Sequence, residues 1–341
     1  MIPHNRPTLG VEEQRAAERV MATGWLAQGR EVEAFENEVC AFLGLPEDHA
    51  VAVSSGTAAL FLALKALDVE GSDVGCPVYA CSALTNAIAL AGAKPALIDS
   101  AAESPNIDTA ALLRSNVQTA IVPHIFGFPV DLAQLKGIRI VEDAAQSFGA
   151  EVRGARVGLL GEIGVFSFYA TKIITSGGQG GMLVSRNPDI IASLRDYRAF
   201  DCRRDRKPRF NFQMTDLQAA IGRAQLQKCG GFLQRRQAIF ERYRQAGLPL
   251  FDDSARDTRP IRFRSVIRTP RPRHLIERFA QGGVAAIVPV EDWELLGPAD
   301  QFPNAARFAR STVSLPTYPS LSPAEQDHII DVCSAVTEPA R

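Results

Sequence analysis

Apolar residues in the first part of the chain fall into helical spacings and short continuous runs that alternate. Between Gly10 and Leu43, the recurrence of Val11, Val20, Met21, Val32, Phe35 and Val39 predicts two amphipathic helices. Thr23-Gly24-Trp25-Leu26 interrupts them and reads as a loop. The run Ala50-Val51-Ala52-Val53 then turns through Ser54-Ser55-Gly56-Thr57 into a helical stretch from Ala58 to Leu64. Strand-like segments follow at 94–99, 120–123 and 138–143, separated by helical segments such as Ser82 to Leu90. Two more short strands, near 164–168 and 181–184, precede helical patterns at 190–200 and 215–227. This rhythm predicts an α/β fold with a mostly parallel sheet covered on both faces, extending over residues 1–245. Beyond Gly247-Leu248-Pro249 the pattern changes. Strand-like 261–267, a helix at 274–280, strand-like 284–288 and a last helix from Pro323 predict a smaller α+β domain over residues 246–341.

The bulk numbers narrow the function classes. A chain of 341 residues with 46% hydrophobic and 22% charged residues is that of a soluble folded protein, long enough for two unequal domains. No run approaches 18 apolar residues and the first residues lack a signal-peptide plan, so a cytoplasmic protein without membrane contact is expected. The six cysteines form no C-x-x-C pair and no ligand spacing, which argues against a metal site or a disulfide framework. A formal net charge of −1 offers no field for nucleic acid, which leaves a small molecule as the favoured partner. The one charge run, Arg203 to Lys207, reads as a solvated loop in preference to a phosphate contact.

Three motifs carry chemistry. Ser55-Gly56-Thr57 sits at a strand-to-helix turn, where free backbone N–H groups and small side chains suit a phosphate, although a plain helix cap uses the same residues. Val141-Glu142-Asp143 places a carboxylate at the end of an apolar strand, where open α/β sheets present ligand-binding groups; a structural acid is the competing reading. Ser167-Phe168-Tyr169-Ala170-Thr171-Lys172 follows a strand and precedes Gly177-Gly178-Gln179-Gly180-Gly181, so Lys172 lies beside a turn able to wrap a ligand. Such an amine can form a Schiff base and carry a proton, though a lysine near glycines is commonly a surface residue.

Phosphate turn, Asp, Ser and Lys in this order resemble the DegT/StrS-type sugar aminotransferase family. Similar segments run from Gly10-Val11-Glu12-Glu13 through His124-Ile125-Phe126-Gly127 and Asn211 to Leu217–Gly222 and Ser314-Leu315-Pro316, nearly the whole chain. The resemblance implies a fold-type-I, aspartate-aminotransferase-like architecture, with a large mixed-sheet domain and a smaller α+β C-terminal domain, and pyridoxal 5′-phosphate (PLP) held by Lys172, with pyridoxamine 5′-phosphate as its amine form. It implies that Asp143 contacts the pyridine nitrogen and Gln146 the ring hydroxyl side. Ser55, Gly56, Thr57 and Ser167 would hold the phosphate, which Asn211 would reach from the other subunit of a homodimer. The implied substrates are an amino-acid donor such as glutamate and a nucleotide-linked keto sugar.

Departures from the family pattern are Tyr79-Ala80-Cys81 where an aromatic often stacks on the cofactor, Gln179 for a usual Glu, and Gln213 for a frequent Arg. Two alternatives accompany the aminotransferase reading. A related PLP-dependent sugar dehydratase is disfavoured by Lys172, because those enzymes resemble the family but carry histidine there. A non-catalytic PLP or sugar-nucleotide binding protein is the other. Trp25, Arg203 and Tyr318 are candidate substrate contacts, with ordinary packing or surface exposure the competing reading for each.

Overall fold

The computed structural model describes residues 1–337. In chain order its helices are α1 (Val11–Thr23), α2 (Arg30–Leu43), α3 (Gly56–Ala66), α4 (Ala83–Leu90), α5 (Thr109–Arg114), α6 (Pro188–Arg198), α7 (Asp216–Gln245), α8 (Pro272–Gln281), α9 (Pro303–Ser311) and α10 (Pro323–Thr337). The first strands are β1 (Ala50–Val53), β2 (Asp73–Pro77), β3 (Lys94–Ile98), β4 (Thr119–Pro123), β5 (Arg139–Asp143), β6 (Glu151–Val152) and β7 (Ala155–Arg156). The remainder are β8 (Ile163–Ser167), β9 (Gly181–Val184), β10 (Thr258–Arg259), β11 (Ser265–Arg268) and β12 (Thr312–Leu315).

Seven strands form one sheet in the order β1-β9-β8-β5-β4-β2-β3. The pairs β2/β3, β2/β4, β4/β5 and β5/β8 are parallel, whereas β9 runs antiparallel to both of its neighbours, β1 and β8. The sheet is therefore mixed. Strand β1 shows why its sequence is apolar throughout: alternation sends Val51 and Val53 into the core beneath α3, α4 and α6, and Ala50 and Ala52 into the core beneath α2 and α7. A strand that the apolar pattern does not reveal, β2, lies in the sheet interior; a Cβ on its Gly75 would stand 2.8 Å from Leu112 Cδ1.

A buried ion pair braces this layer. Arg198 of α6 meets Glu36 of α2, donates to Ala52 O at 3.0 Å, and Glu36 in turn accepts from Ala52 N at 2.7 Å. Burial pushes the Glu36 carboxyl above the usual range, against the pull of Arg198. Arg198→Ala strands that carboxylate, so we expect unfolding free energy to fall by about 3–5 kcal/mol, read from denaturant titration.

Helix α7 runs well past residue 227. Gly230-Gly231 looks like a break in the sequence, yet Cys229, Phe232, Arg236, Ile239, Phe240 and Tyr243 keep one face buried through it. Its last turns enter a second core with Leu275, Phe279, Val313, Leu315 and Tyr318, around the antiparallel pair β11/β12. Two expected strands shrink here. Only the end of 261–267 is strand, since Ile261 N bonds Gly127 O instead. The stretch 284–288 makes isolated bridges, Val284 with Ile2 and Ile287 with Ser314, because no continuous neighbour runs beside it.

Candidate active site

A cavity of about 250 Å³ opens at the carboxyl ends of the parallel strands, room for one small ring compound. Its wall includes Ser55, Gly56, Thr57, Asp143, Gln146, Ser167 and Lys172. Residues distant in sequence thus share one site.

The phosphate-side wall is built by close approach. Ser55 caps α3, its hydroxyl accepting from Ala58 N at 3.1 Å, which leaves the first N–H groups of the helix facing outward. A Cβ on Gly56 would lie 2.9 Å from Ser167 Cβ, and one on Gly181 would lie 2.3 Å from Ser55 O. Both glycines let β8 and β9 pack onto the turn. Gly56→Ala must push Ser167 away from the helix N-terminus, and we expect about tenfold weaker PLP binding, measured by fluorescence titration.

Asp143 ends β5, paired across to Pro123 and Val165. Its Oδ1 accepts from Ala145 N at 3.0 Å, and among the described residues no side-chain cation lies within 4.0 Å. Burial raises its pKa, with the Ala145 N–H and then Lys172 and His124 pulling the other way. Beside it, Glu142 and His124 are both fully buried and joined by a 2.9 Å contact between Oε1 and Nε2. Val130 N donates to His124 Nδ1 at 2.9 Å, so the imidazole proton sits on Nε2 and is given to Glu142. Glu142 Oε2 also accepts from Leu160 N and Gly161 N. This network fixes the strand ends that present Asp143. The apolar run ending in Glu142 hints at a buried acid, but its histidine partner comes from the next strand.

Lys172 is half-buried. Burial lowers its pKa, Asp143 opposes this, and Arg264 adds to it. Gln146 Oε1 accepts from Phe126 N at 2.9 Å, and Phe126 is held at φ 60, a left-handed conformation unusual for a bulky residue. Cys81 and Gln179, both at departures from the family pattern, also line the cavity, as do His124 and Tyr169, which spacing alone did not reveal.

Several candidates stand elsewhere. Tyr79 is fully buried against Phe126 and Phe308, so Cys81 and not Tyr79 faces the cavity. Asn211 is exposed and outside the cavity of this chain, its Oδ1 accepting from Gln213 N at 3.1 Å. Trp25 is exposed, Arg203 pairs with Asp196 and Asp205 on the surface, and Tyr318 is buried in the second core; none lines the cavity. Tyr318 is thus a packing residue, and the Arg203 run is a surface ion-pair network.

The cavity suits PLP chemically: a buried carboxylate without a cation, an amine whose burial favours its neutral form, and a helix N-terminus for a phosphate. Among the described residues no helix is long and apolar enough to cross a membrane, and no His, Cys, Asp and Glu group could hold a metal ion.

Comparison with known proteins agrees. The model of the DegT/DnrJ/EryC1/StrS aminotransferase family matches residues 7–334. The chain is 30% identical to the spore coat polysaccharide biosynthesis protein SpsC of Bacillus subtilis (strain 168), covering 99% of this chain and 98% of that protein. It is 32% identical to dTDP-3-amino-3,4,6-trideoxy-alpha-D-glucose transaminase of Streptomyces venezuelae, covering 95% and 91%. The crystal structure of the aminotransferase TlmJ from Streptoalloteichus hindustanus superposes with a TM-score of 0.90 over 98% of each chain, at 28% identity. Fold and cavity together are those of a fold-type-I, PLP-dependent transaminase. More narrowly, the chain belongs to the DegT/DnrJ/EryC1/StrS aminotransferase family.

Proposed function

We propose that this enzyme moves an amino group from an amino acid, with glutamate as the donor, to a keto sugar carried on a nucleotide. The observation that carries the reading is the meeting of Lys172, Asp143 and the α3 N-terminus in one cavity. The nucleotide-sugar name of the Streptomyces relative supports the acceptor class.

When bound, PLP supplies an electron-accepting ring and a carbonyl carbon that amines can exchange on. Lys172 is the covalent tether and then the base that moves the donor's α-proton, a task helped by the burial that keeps its amine neutral. Asp143, a carboxylate that burial penalises, would hold the pyridine nitrogen and favour its protonated form. Ser55, Gly56, Thr57 and Ser167 would hold the phosphate, and Gln146 would contact the ring hydroxyl side. We assign Asn211 to the same phosphate in the second subunit of a homodimer.

The test is direct. Incubation with glutamate, PLP and a panel of nucleotide-linked keto sugars should give one aminated sugar nucleotide, identified by mass spectrometry. Amine exchange confined to keto acids, with every sugar nucleotide returned intact, would remove the acceptor from this proposal.

A further inference from the structure

Residues 2–8 carry no helix and only a single bridge, yet they are tied down along their whole length. Ile2 N donates to Gly283 O at 2.7 Å and Ile2 O accepts from Ala285 N at 2.9 Å, a parallel bridge centred on Val284. His4 Nε2 lies 2.9 Å from Ser314 Oγ on β12, and the Arg6 guanidinium stands 5.3 Å from the Tyr318 ring centroid. Thr8 Oγ1 accepts from Ser320 N at 3.3 Å, and Thr8 O accepts from Gln225 Nε2 of α7 at 2.9 Å. Most of these ties run to the second core, to which Val284 and Tyr318 belong and against which Ile2 packs. One side chain of this strap reaches the other way. Asn5 Nδ2 donates to Thr171 O at 3.1 Å, in the turn that carries Lys172.

That turn needs an outside hold. Lys172 sits in irregular backbone between β8 and β9, where Lys172 N donates to Tyr169 O at 3.0 Å and an isolated bridge joins Tyr169 to Gly178. Among the described residues, Asn5 is the only one whose side chain hydrogen-bonds to the backbone of residues 170–174. The Thr171 carbonyl belongs to the same rigid peptide plane as the Lys172 N–H. Asn5 grips the oxygen of that plane and Tyr169 O the hydrogen, so the plane is held at both edges, and with it the Cα from which the lysine side chain leaves. The amine lies at the end of a flexible four-carbon stem, so a tilt at the Cα is carried out to Nζ. We infer that Asn5 is a positioning residue for Lys172, tying the backbone of the reactive lysine to the second core so that the amine is aimed into the cavity before any ligand arrives. Misplacement of a reacting group by about 1 Å costs up to about a hundredfold in rate, which makes one well-placed hydrogen bond to the backbone consequential.

This inference rests on the reading of Lys172 as the tether of PLP, and the experiment separates the two. Wild type, Asn5→Ala, Asn5→Gln and Arg6→Gln are compared. Asn5→Ala removes the donor without adding charge, Asn5→Gln keeps an amide donor, and Arg6→Gln alters a strap neighbour whose contacts are Tyr318 and Glu325. The readouts are the rate at which cofactor-free protein captures PLP, the limiting rate and half-saturating glutamate of the first half-reaction, and thermal unfolding of the cofactor-free protein. In Asn5→Ala both rates should fall about tenfold while half-saturating glutamate stays within about twofold. Its unfolding midpoint should stay within about 2 °C of wild type, since one half-buried hydrogen bond adds little to a chain of this size. Asn5→Gln should recover part of the loss, and Arg6→Gln should leave both rates within about twofold. Wild-type rates in Asn5→Ala overturn the assignment, as does a change confined to half-saturating glutamate. An equal loss in Arg6→Gln, or a loss that tracks a lowered unfolding midpoint, also overturns it and makes the bond a plain structural tie. A wild type that captures PLP without using Lys172 overturns the tether reading, and this inference with it.

Discussion

Lys172→Ala should lower the rate of sugar amination by about four orders of magnitude, the upper end of what a positioned acid–base group supplies. Two losses combine in it. The variant has no amine to tether PLP, and none to move the donor's α-proton. Burial in the cavity holds the Lys172 pKa below the ordinary lysine value, with Arg264 adding to this and Asp143 resisting. The amine is therefore neutral over a wider pH range than a surface lysine. As pH falls through that lowered pKa the amine protonates, so the rate at which cofactor-free wild type captures PLP should drop on the acid side. Borohydride reduction followed by peptide mass spectrometry should find the tag on Lys172 in wild type and on no residue in the variant. A tag elsewhere in wild type would refute the assignment.

Asp143→Asn should cost about two to four decades of rate, from the roughly 3–5 kcal/mol lost when one member of a buried ion pair goes. The same change should act oppositely on the cofactor-free protein. The folded-state pKa of Asp143 lies above its unfolded value because burial penalises the charge. Such a group favours the folded state below its unfolded pKa and loses that contribution as pH rises through its folded pKa. Asparagine removes the penalty and can still accept from Ala145 N. Thermal unfolding of the cofactor-free variant should thus match wild type in acid and exceed it at higher pH. A variant less stable than wild type at pH 8 would mean that the charge is satisfied by something other than the cofactor.

Much of this was readable from the residues because local and tertiary preferences coincide. The apolar run from Ala50 to Val53 is a strand buried on both faces, and the Ser-Gly-Thr turn after it is the N-terminus of α3. Asp143 ends β5 and Lys172 lies in the turn after β8, and these two strands pair directly in the sheet although the small β6/β7 hairpin separates them in sequence. What stayed hidden depended on neighbours far along the chain. Strand β2, with Gly75 and Pro77, has poor strand composition and is held by pairing to β3 and β4. Gly230-Gly231 mimics a helix end, and only burial of the residues on either side carries α7 through it. The antiparallel insertion of β9 that makes the sheet mixed has no local signature at all. Nor could spacing pair His124 with Glu142, or bring Asn5 to Thr171, since both are facts about what surrounds a side chain.

The central claim, that Lys172 serves a working transaminase, is tested most directly by the absorption spectrum of the purified protein with PLP, before and after glutamate, beside Lys172→Ala. The account predicts that wild type shows the long-wavelength band of a lysine-bound cofactor and that glutamate converts it to the band of the amine form, while the variant never acquires the first band. A wild-type band that no amino donor alters, or a variant that shows the same conversion, would contradict it.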